Sequence, residues 1–258
     1  MKVALRVVFL GTGTSQGVPV IGCTCDVCTS LDPRNHRMRP SLWIEVNRRH
    51  IVVDTPAEFR LQAIRHRLPR LDALLYTHAH ADHIFGIDDI RRFNQMQREV
   101  IPLYASRETL EALQRTAGYI FDLSNESWAV PKAAPHVLDG PFELFGTIVE
   151  PLLVWHGRMA VTAFRIGRLA YVTDCNRIPD ETMERLYGLD LLILDALRHR
   201  PHPTHFSISE AVQVIDELRP KRALLTHLCH EVEHAAAEAE LPPHIRLAYD
   251  GLSVTLAG

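Results

Sequence analysis

The chain has 258 residues, 47% of them hydrophobic, and sets 28 lysines and arginines against 31 aspartates and glutamates. Length and apolar content suffice for one large α/β domain with a proper core. A formal charge of −3 supplies no broad basic field, which argues against a protein that grips nucleic acid through many phosphates and fits a small substrate better.

The first strand is expected over Val3 to Leu10, where Arg6 breaks an apolar run too short for a signal peptide core. No later segment has the length and apolarity to span a bilayer, so a soluble, cytoplasmic protein with no membrane partner is expected. The glycine-rich stretch from Gly11 to Gly17 lacks the spacing of a P-loop or a dinucleotide fingerprint and reads as a tight turn with close backbone approach. Cys23, Cys25 and Cys28 follow, three of five cysteines in six residues. Such density fits thiolate ligation of a structural zinc in a reducing compartment better than a disulfide framework.

Ser41 to Val46 and His50 to Asp54 read as a hairpin, and Ala57 to Leu68 as a helix. Asp54 has two open roles: a carboxylate orienting a metal ligand, or a favourable negative charge at that helix's start. The apolar run Leu71 to Tyr76 predicts a buried strand, and directly after it come His78, His80, Asp82 and His83. In extended chain His78 and His80 point to the same side, whereas Asp82 and His83 enter the turn and face a second position. One loop therefore has donors for two neighbouring ions. So many imidazoles and a carboxylate at one strand end call for a cation.

Beyond this motif, Ile87 to Arg98 and Ser106 to Ile120 have helical spacing, the second with Ser106 as its cap. Asp122 to Pro141 shows little periodicity and suggests a lid or dimer-contact segment, with Trp128 and His136 as weak pocket candidates. Strands are expected over 142–145, 147–154, 161–166, 169–173, 190–195 and 221–227, and helices over 207–218 and 231–240. His156, Asp174 and His227 each fall at or just past a strand end. The loop from Arg198 to Ser207 is rich in groups that donate protons or bind phosphate.

The His-x-His-x-Asp-His run, followed in order by His156, Asp174 and His227, resembles the ligand set of the metallo-β-lactamase superfamily. Within it, Gln16-Gly17-Val18-Pro19, the cysteine trio and the run from Leu225 to His230 look like the phosphoribosyl cyclic phosphodiesterase branch of the carbon–phosphorus lyase pathway. The resemblance implies a four-layer αββα sandwich, one domain over residues 1–258, with a structural zinc loop at about 17–40. It further implies two active-site divalent metals. His78, His80 and His156 would hold one, Asp82, His83 and His227 the other, and Asp174 would bridge them. Imidazole and carboxylate donors accept zinc, manganese or nickel alike. Cys23, Cys25, Cys28 and His230 would close around one structural zinc, and His205 would be the proton donor.

The implied activity is hydrolysis of a small phosphodiester, a cyclic one first among the candidates, by a hydroxide activated between the two metals, with Asp82 and His205 as catalytic residues. A homodimer is a further implication. Two rivals share parts of the pattern: the tRNA 3′-end endonuclease, whose long Gly/Pro-rich tRNA-gripping arm is absent from this sequence, and the pyrroloquinoline quinone biosynthesis B protein, whose active-site ligand set is incomplete. The full set in this chain favours the hydrolase.

Overall fold

Alternating apolar side chains build two sheets that share an inner core. The computed structural model describes residues 4–256. Among these the first strands are β1 (Leu5–Gly11), β2 (Ser41–Val46), β3 (Arg49–Val53), β4 (Ala73–Leu75), β5 (Ile101–Ala105), β6 (Ala133–Val137) and β7 (Phe142–Leu144). They are followed by β8 (Thr147–His156), β9 (Met159–Ile166), β10 (Leu169–Val172), β11 (Leu191–Asp195), β12 (Ala223–Thr226), β13 (Ile245–Leu247) and β14 (Ser253–Leu256). One sheet has the order β14-β1-β2-β3-β4-β5-β6, the other β13-β12-β11-β10-β9-β8-β7. The helices are α1 (Phe59–Arg65), α2 (Ala81–Ile84), α3 (Arg91–Gln97), α4 (Arg107–Ala117), α5 (Asp180–Arg185), α6 (Ile208–Leu218) and α7 (His234–Ala239).

Strand parity sorts the core into layers. On β1, Leu5, Val7 and Phe9 pack with Phe164, Tyr171 and Ile193 of the other sheet. Their neighbours Val8 and Leu10 turn outward onto Phe59, Ile90 and Phe93. The second sheet does the same: Leu192, Leu194 and Leu225 face outward onto Ile208, Ile215 and Ala237. Period-2 alternation buried on both faces gives the four-layer sandwich of helices, two sheets and helices.

This topology gathers the chemistry at one edge. In the first sheet β3, β4, β5 and β6 run parallel. In the second, β10, β11 and β12 run parallel. Carboxyl ends of parallel strands are where open α/β sheets present their loops to ligands. Asp54, His78, Asp174 and His227 all follow such ends.

Several expectations need correction. The 122–141 segment contains edge strand β6, masked in the sequence by Pro131 and Pro135 and by its largely exposed residues. Trp128 lies under Arg98 and Lys132, and His136 stacks on Tyr104 with ring centroids 4.7 Å apart, so neither enters the candidate site. The 87–98 stretch is a 3₁₀ turn over Ile87–Ile90 followed by α3 rather than one helix. The last helix begins only at His234, because Glu233 accepts a hydrogen bond from the Ala236 amide and caps it there. Helix α5 and strands β13 and β14 complete the sandwich without having been anticipated. The first helix begins at Phe59, five residues past Asp54, with Glu58 at its N-cap position and no side-chain capping hydrogen bond.

The glycine turn brings backbone against backbone, as expected. A Cβ on Gly11 would lie 2.0 Å from the Arg39 carbonyl oxygen, and one on Gly13 2.7 Å from that of Arg37. Asp250 ties the same turn down by accepting from the Thr12 amide at 2.9 Å, the Thr12 hydroxyl at 2.8 Å and the Met38 amide at 2.7 Å. Burial outweighs these donors and pushes the Asp250 carboxyl up to about 6. A folded-state pKa above the unfolded one means the fold binds this proton more tightly. That contribution is full below about pH 4 and is lost as pH rises through about 6. Measured against the non-titrating Asp250→Asn variant by denaturant unfolding, wild-type stability should fall by about 3 kcal/mol between pH 4 and 7. A pH-independent difference would contradict this.

Candidate metal centre

The loop after β4 meets the turn after β3 through a buried carboxylate. Asp54 accepts from the Thr77 amide at 2.9 Å, the Thr77 hydroxyl at 2.8 Å and His83 Nδ1 at 2.8 Å. Its backbone carbonyl accepts from Ser41 Oγ at 2.8 Å. Because the Thr77 hydroxyl gives its proton to Asp54, its oxygen accepts from His78 Nδ1, 3.0 Å away. His156 Nδ1 donates in the same way to the Thr204 carbonyl at 2.8 Å. The His78 and His156 rings are thereby held in the tautomer that leaves Nε2 bare, as metal-ligating imidazoles require.

The bare nitrogens converge. Atoms of Asp82, His83, Asp174 and His227 lie within 4.8 Å of one another, and so do atoms of His156, Asp174 and His205. Asp174 belongs to both groups. Its Oδ2 is 3.3 Å from His83 Nε2, and its Oδ1 is 3.2 Å from His227 Nε2. The His78 ring lies 4.6 Å from that of His80 and 6.1 Å from that of His156, with His80 exposed at the cap of α2. The imidazoles of this trio stand more loosely than the Asp82, His83, Asp174 and His227 group.

Asp195 is the functional residue that sequence reasoning passed over. It ends β11 with no solvent exposure, accepting from His205 Nδ1 at 2.8 Å and from the Cys175 amide at 3.0 Å. Its other oxygen lies 3.7 Å from His227 Nδ1. One carboxylate thus faces both the candidate proton donor and a candidate ligand. The available clue was an Asp ending an otherwise apolar run.

The charge balance of the seam asks for cations. Burial pushes His83 down, but Asp174 and Asp54 overcome it and hold the ring well above the usual imidazole range. Burial likewise opposes His227, yet Asp174, Asp82 and Asp195 raise it to about 9. Burial would raise Asp174, and the positive His227 and His83 rings instead hold it well below the carboxylate range. His78 is pushed far down by burial and by the neighbouring His83 charge, so it stays neutral. The seam therefore draws protons onto two rings to balance its carboxylates, and divalent cations supply that positive charge equally well. His78 Nε2, His83 Nε2 and His227 Nε2 are buried with no hydrogen-bond partner, which is the state of ligand nitrogens awaiting a metal. The donor set fits.

A second cluster lies beside the first. His230 Nδ1 is 3.3 Å from Cys23 Sγ, 3.5 Å from Cys25 Sγ and 3.7 Å from Cys28 Sγ. The Cys28 amide and the His230 ring hold the Cys25 thiol down to about 6. Three thiols and one imidazole converging on a point make a closed tetrahedral set of the structural-zinc type.

A β-lactamase superfamily domain matches residues 49–228. The chain belongs to the metallo-β-lactamase superfamily. Within this superfamily it is 39% identical to a solved structure described as a new diphosphatase from the PhnP family, covering 99% of this chain and 98% of that one at a TM-score of 0.93. It is 37% identical, over 98% of its own length, to an octanoyltransferase of Porphyromonas gingivalis, and spans only 52% of that longer protein. Coenzyme PQQ synthesis protein B of Methylobacterium radiotolerans is 26% identical over 74% of this chain and 72% of that protein. The chain thus has the metallo-β-lactamase fold and is similar over nearly its whole length to a PhnP-family diphosphatase. Among the described residues no helix is long and apolar enough to cross a membrane.

Of the two roles open for Asp54, its hydrogen bonds support ligand orientation. Asp54→Ala should weaken divalent-metal binding about 10- to 100-fold, as loss of such an orienting partner does. Chelator competition on the purified protein checks this, and unchanged affinity would assign Asp54 to the fold alone.

Proposed function

We propose that this protein hydrolyses a small phosphodiester, a cyclic one being a good candidate, at a two-metal centre. The observation that carries the reading is Asp174, whose carboxylate belongs at once to the group with Asp82, His83 and His227 and to the group with His156 and His205. In this reading His78, His80 and His156 hold one cation, Asp82, His83 and His227 the second, and Asp174 is shared. Zinc, manganese or nickel suits these donors. A third ion, zinc, is held by Cys23, Cys25, Cys28 and His230 and serves structure. Bound divalent cations at the centre supply Lewis acidity and water ionised near neutral pH.

The chain's own residues do the rest. Asp195 holds the Nδ1 proton of His205, which fixes the ring and leaves Nε2 to carry the second proton of the imidazolium. As the phosphorus–oxygen bond to the leaving group breaks, His205 gives that proton to the departing alkoxide. Through that hydrogen bond Asp195 keeps the ring oriented during the transfer. Hydrolysis is preferred to the octanoyl transfer named for the Porphyromonas relative because the seam presents metal-type ligands. Cys175, the thiol nearest Asp174 in sequence, is fully buried and pushed well up by that burial.

The diphosphatase relative supports a second reading, in which the broken bond belongs to a diphosphate and the leaving group is a phosphate. Such a leaving group is less basic than an alkoxide and needs less help from His205.

Metal-loaded protein should hydrolyse bis(p-nitrophenyl) phosphate and a 2′,3′-cyclic nucleotide, and Asp174→Ala should lose both by about 1000-fold or more. His205→Ala should slow the cyclic nucleotide about 100-fold or more and the activated aryl ester far less. Equal losses on both esters would count against proton donation. Faster turnover of a diphosphate diester than of either phosphodiester would favour the second reading, and no turnover with zinc, manganese or nickel would sink both.

A further inference from the structure

A groove of about 780 Å³ runs between α1 and the segment made of the Ile87–Ile90 turn and α3, in the helical layer over the first sheet. Its floor is the top of the outer core: Phe59, Leu68 and Phe93 are buried there, with the Phe59 and Phe93 rings 6.2 Å apart. Helical spacing builds the walls. On α1, Arg60, Ala63 and Ile64 stand at i, i+3 and i+4, and Arg67 reaches the same groove from the turn just past the helix. On α3, Arg92 and Met96 stand at i and i+4. Each rim thus carries one large apolar side chain held out of the core, Ile64 at 61% exposure and Met96 at 52%. Burying such a pair needs a body that lies along both rims.

The charge around this trough has one sign. Four arginines line it against two aspartates, in a chain whose formal charge is −3. Asp88 is taken up by Arg91 and by the Tyr119 hydroxyl, which donates to it at 2.7 Å. Asp89 lies near Arg60. Arg67 and Arg92 form no ion pair among the described residues, so exposed guanidinium groups on opposite walls flank the apolar floor.

We propose that this groove docks an acidic amphipathic helix of a partner protein. The seven residues of α1 span about 10 Å, so two to three turns of a partner helix cover the groove. Its apolar ridge lies on Phe93, Ile64 and Met96, and carboxylates on either side of that ridge meet Arg67 and Arg92. A flat bilayer surface would not reach a floor sunk between two helices. A second copy joined through the same face would set arginine against arginine. None of the lining residues belongs to the proposed ligand set, so the groove is a site apart from the metal centre.

The test uses a fluorescein-labelled synthetic peptide of about 15 residues, with leucines at helical i, i+4, i+7 and i+11 positions and glutamates beside them. By anisotropy, wild-type protein should bind it at least about tenfold more tightly than its scrambled form or its lysine-for-glutamate twin, and added salt should weaken the binding. Arg67→Glu and Arg92→Glu should each weaken it about tenfold, and Ile64→Glu should do so at low and high salt alike. All three positions are exposed, so each variant should keep the wild-type thermal midpoint within about 2 °C. Equal binding of the three peptides, or unchanged affinity in the variants, would overturn the proposal. Co-sedimentation with anionic phosphatidylglycerol vesicles that Arg67→Glu abolishes, without selectivity among the peptides, would give the face to a membrane instead. A wild-type dimer that Ile64→Glu dissociates in sedimentation equilibrium would give it to a second copy, and this too would overturn the assignment.

Discussion

The hydrogen bonds converging on Asp54 hold the centre in register. A carboxylate with no water around it is costly, and it is tolerated because the Thr77 amide, the Thr77 hydroxyl and His83 Nδ1 all donate to it. Those donors come from the loop after β4, so the carboxylate fixes that loop against the turn after β3. Through Thr77 it also sets the tautomer of His78. The cost appears in the backbone: Asp54, Asp174 and His227 take φ values of +62°, +53° and +62°, in the left-handed region that non-glycine residues seldom adopt. Each such conformation costs about 1 kcal/mol or more. The strain turns side chains that would otherwise continue the pleat into a common seam.

Where sequence reasoning succeeded, a local pattern carried the information. His78, His80, Asp82 and His83 stand within six residues, and the cysteine trio is equally dense, so short-range chemistry announces both clusters. Apolar runs such as Leu191 to Leu194 read as strands because both of their faces are buried. Where it failed, the cause was non-local. Strand β6 is an edge strand, so only one side needs a partner and its exposed residues lose the apolar alternation. Strand β14 is short, and it is defined by pairing with β1, hundreds of residues away. Asp195 looks in sequence like the polar end of an apolar strand. Its role exists only because β10 and β12 flank β11 and bring Cys175 and His227 to it. The two roles weighed for Asp54 could not be separated without knowing that α1 starts only at Phe59.

The two clusters are joined through one short segment, residues 227–232. His227 enters the seam at the end of β12, and three residues on His230 meets the cysteines. Arg37 is the clamp between them. It is buried without a carboxylate partner among the described residues, and its guanidinium donates to the carbonyls of Cys229 and Val232 at 2.9 Å each, flanking His230. Burial lowers its pKa to about 10, which still leaves it charged at neutral pH, so the clamp persists. Neutral acceptors on both sides of His230 spread that charge over carbonyl dipoles instead of pairing it with an acid that would compete for the thiolate site.

On the other side of His230, Glu231 holds Arg198 at 3.3 Å and Arg200 at 2.8 Å. These arginines belong to the loop whose Thr204 carbonyl fixes His156 and whose His205 meets Asp195. Exposed ion pairs are individually weak. Here two arginines share one carboxylate, and the loop is also anchored at its base by the Leu197 and Phe206 amides, which donate to the carbonyls of Phe206 and Cys175. The loop therefore has little freedom of its own. The Cys₃His cluster, through His230 and its neighbours, reaches both the ring of His227 and the loop that orients His156 and His205. A zinc there would act on the candidate metal centre by geometry alone, without touching substrate.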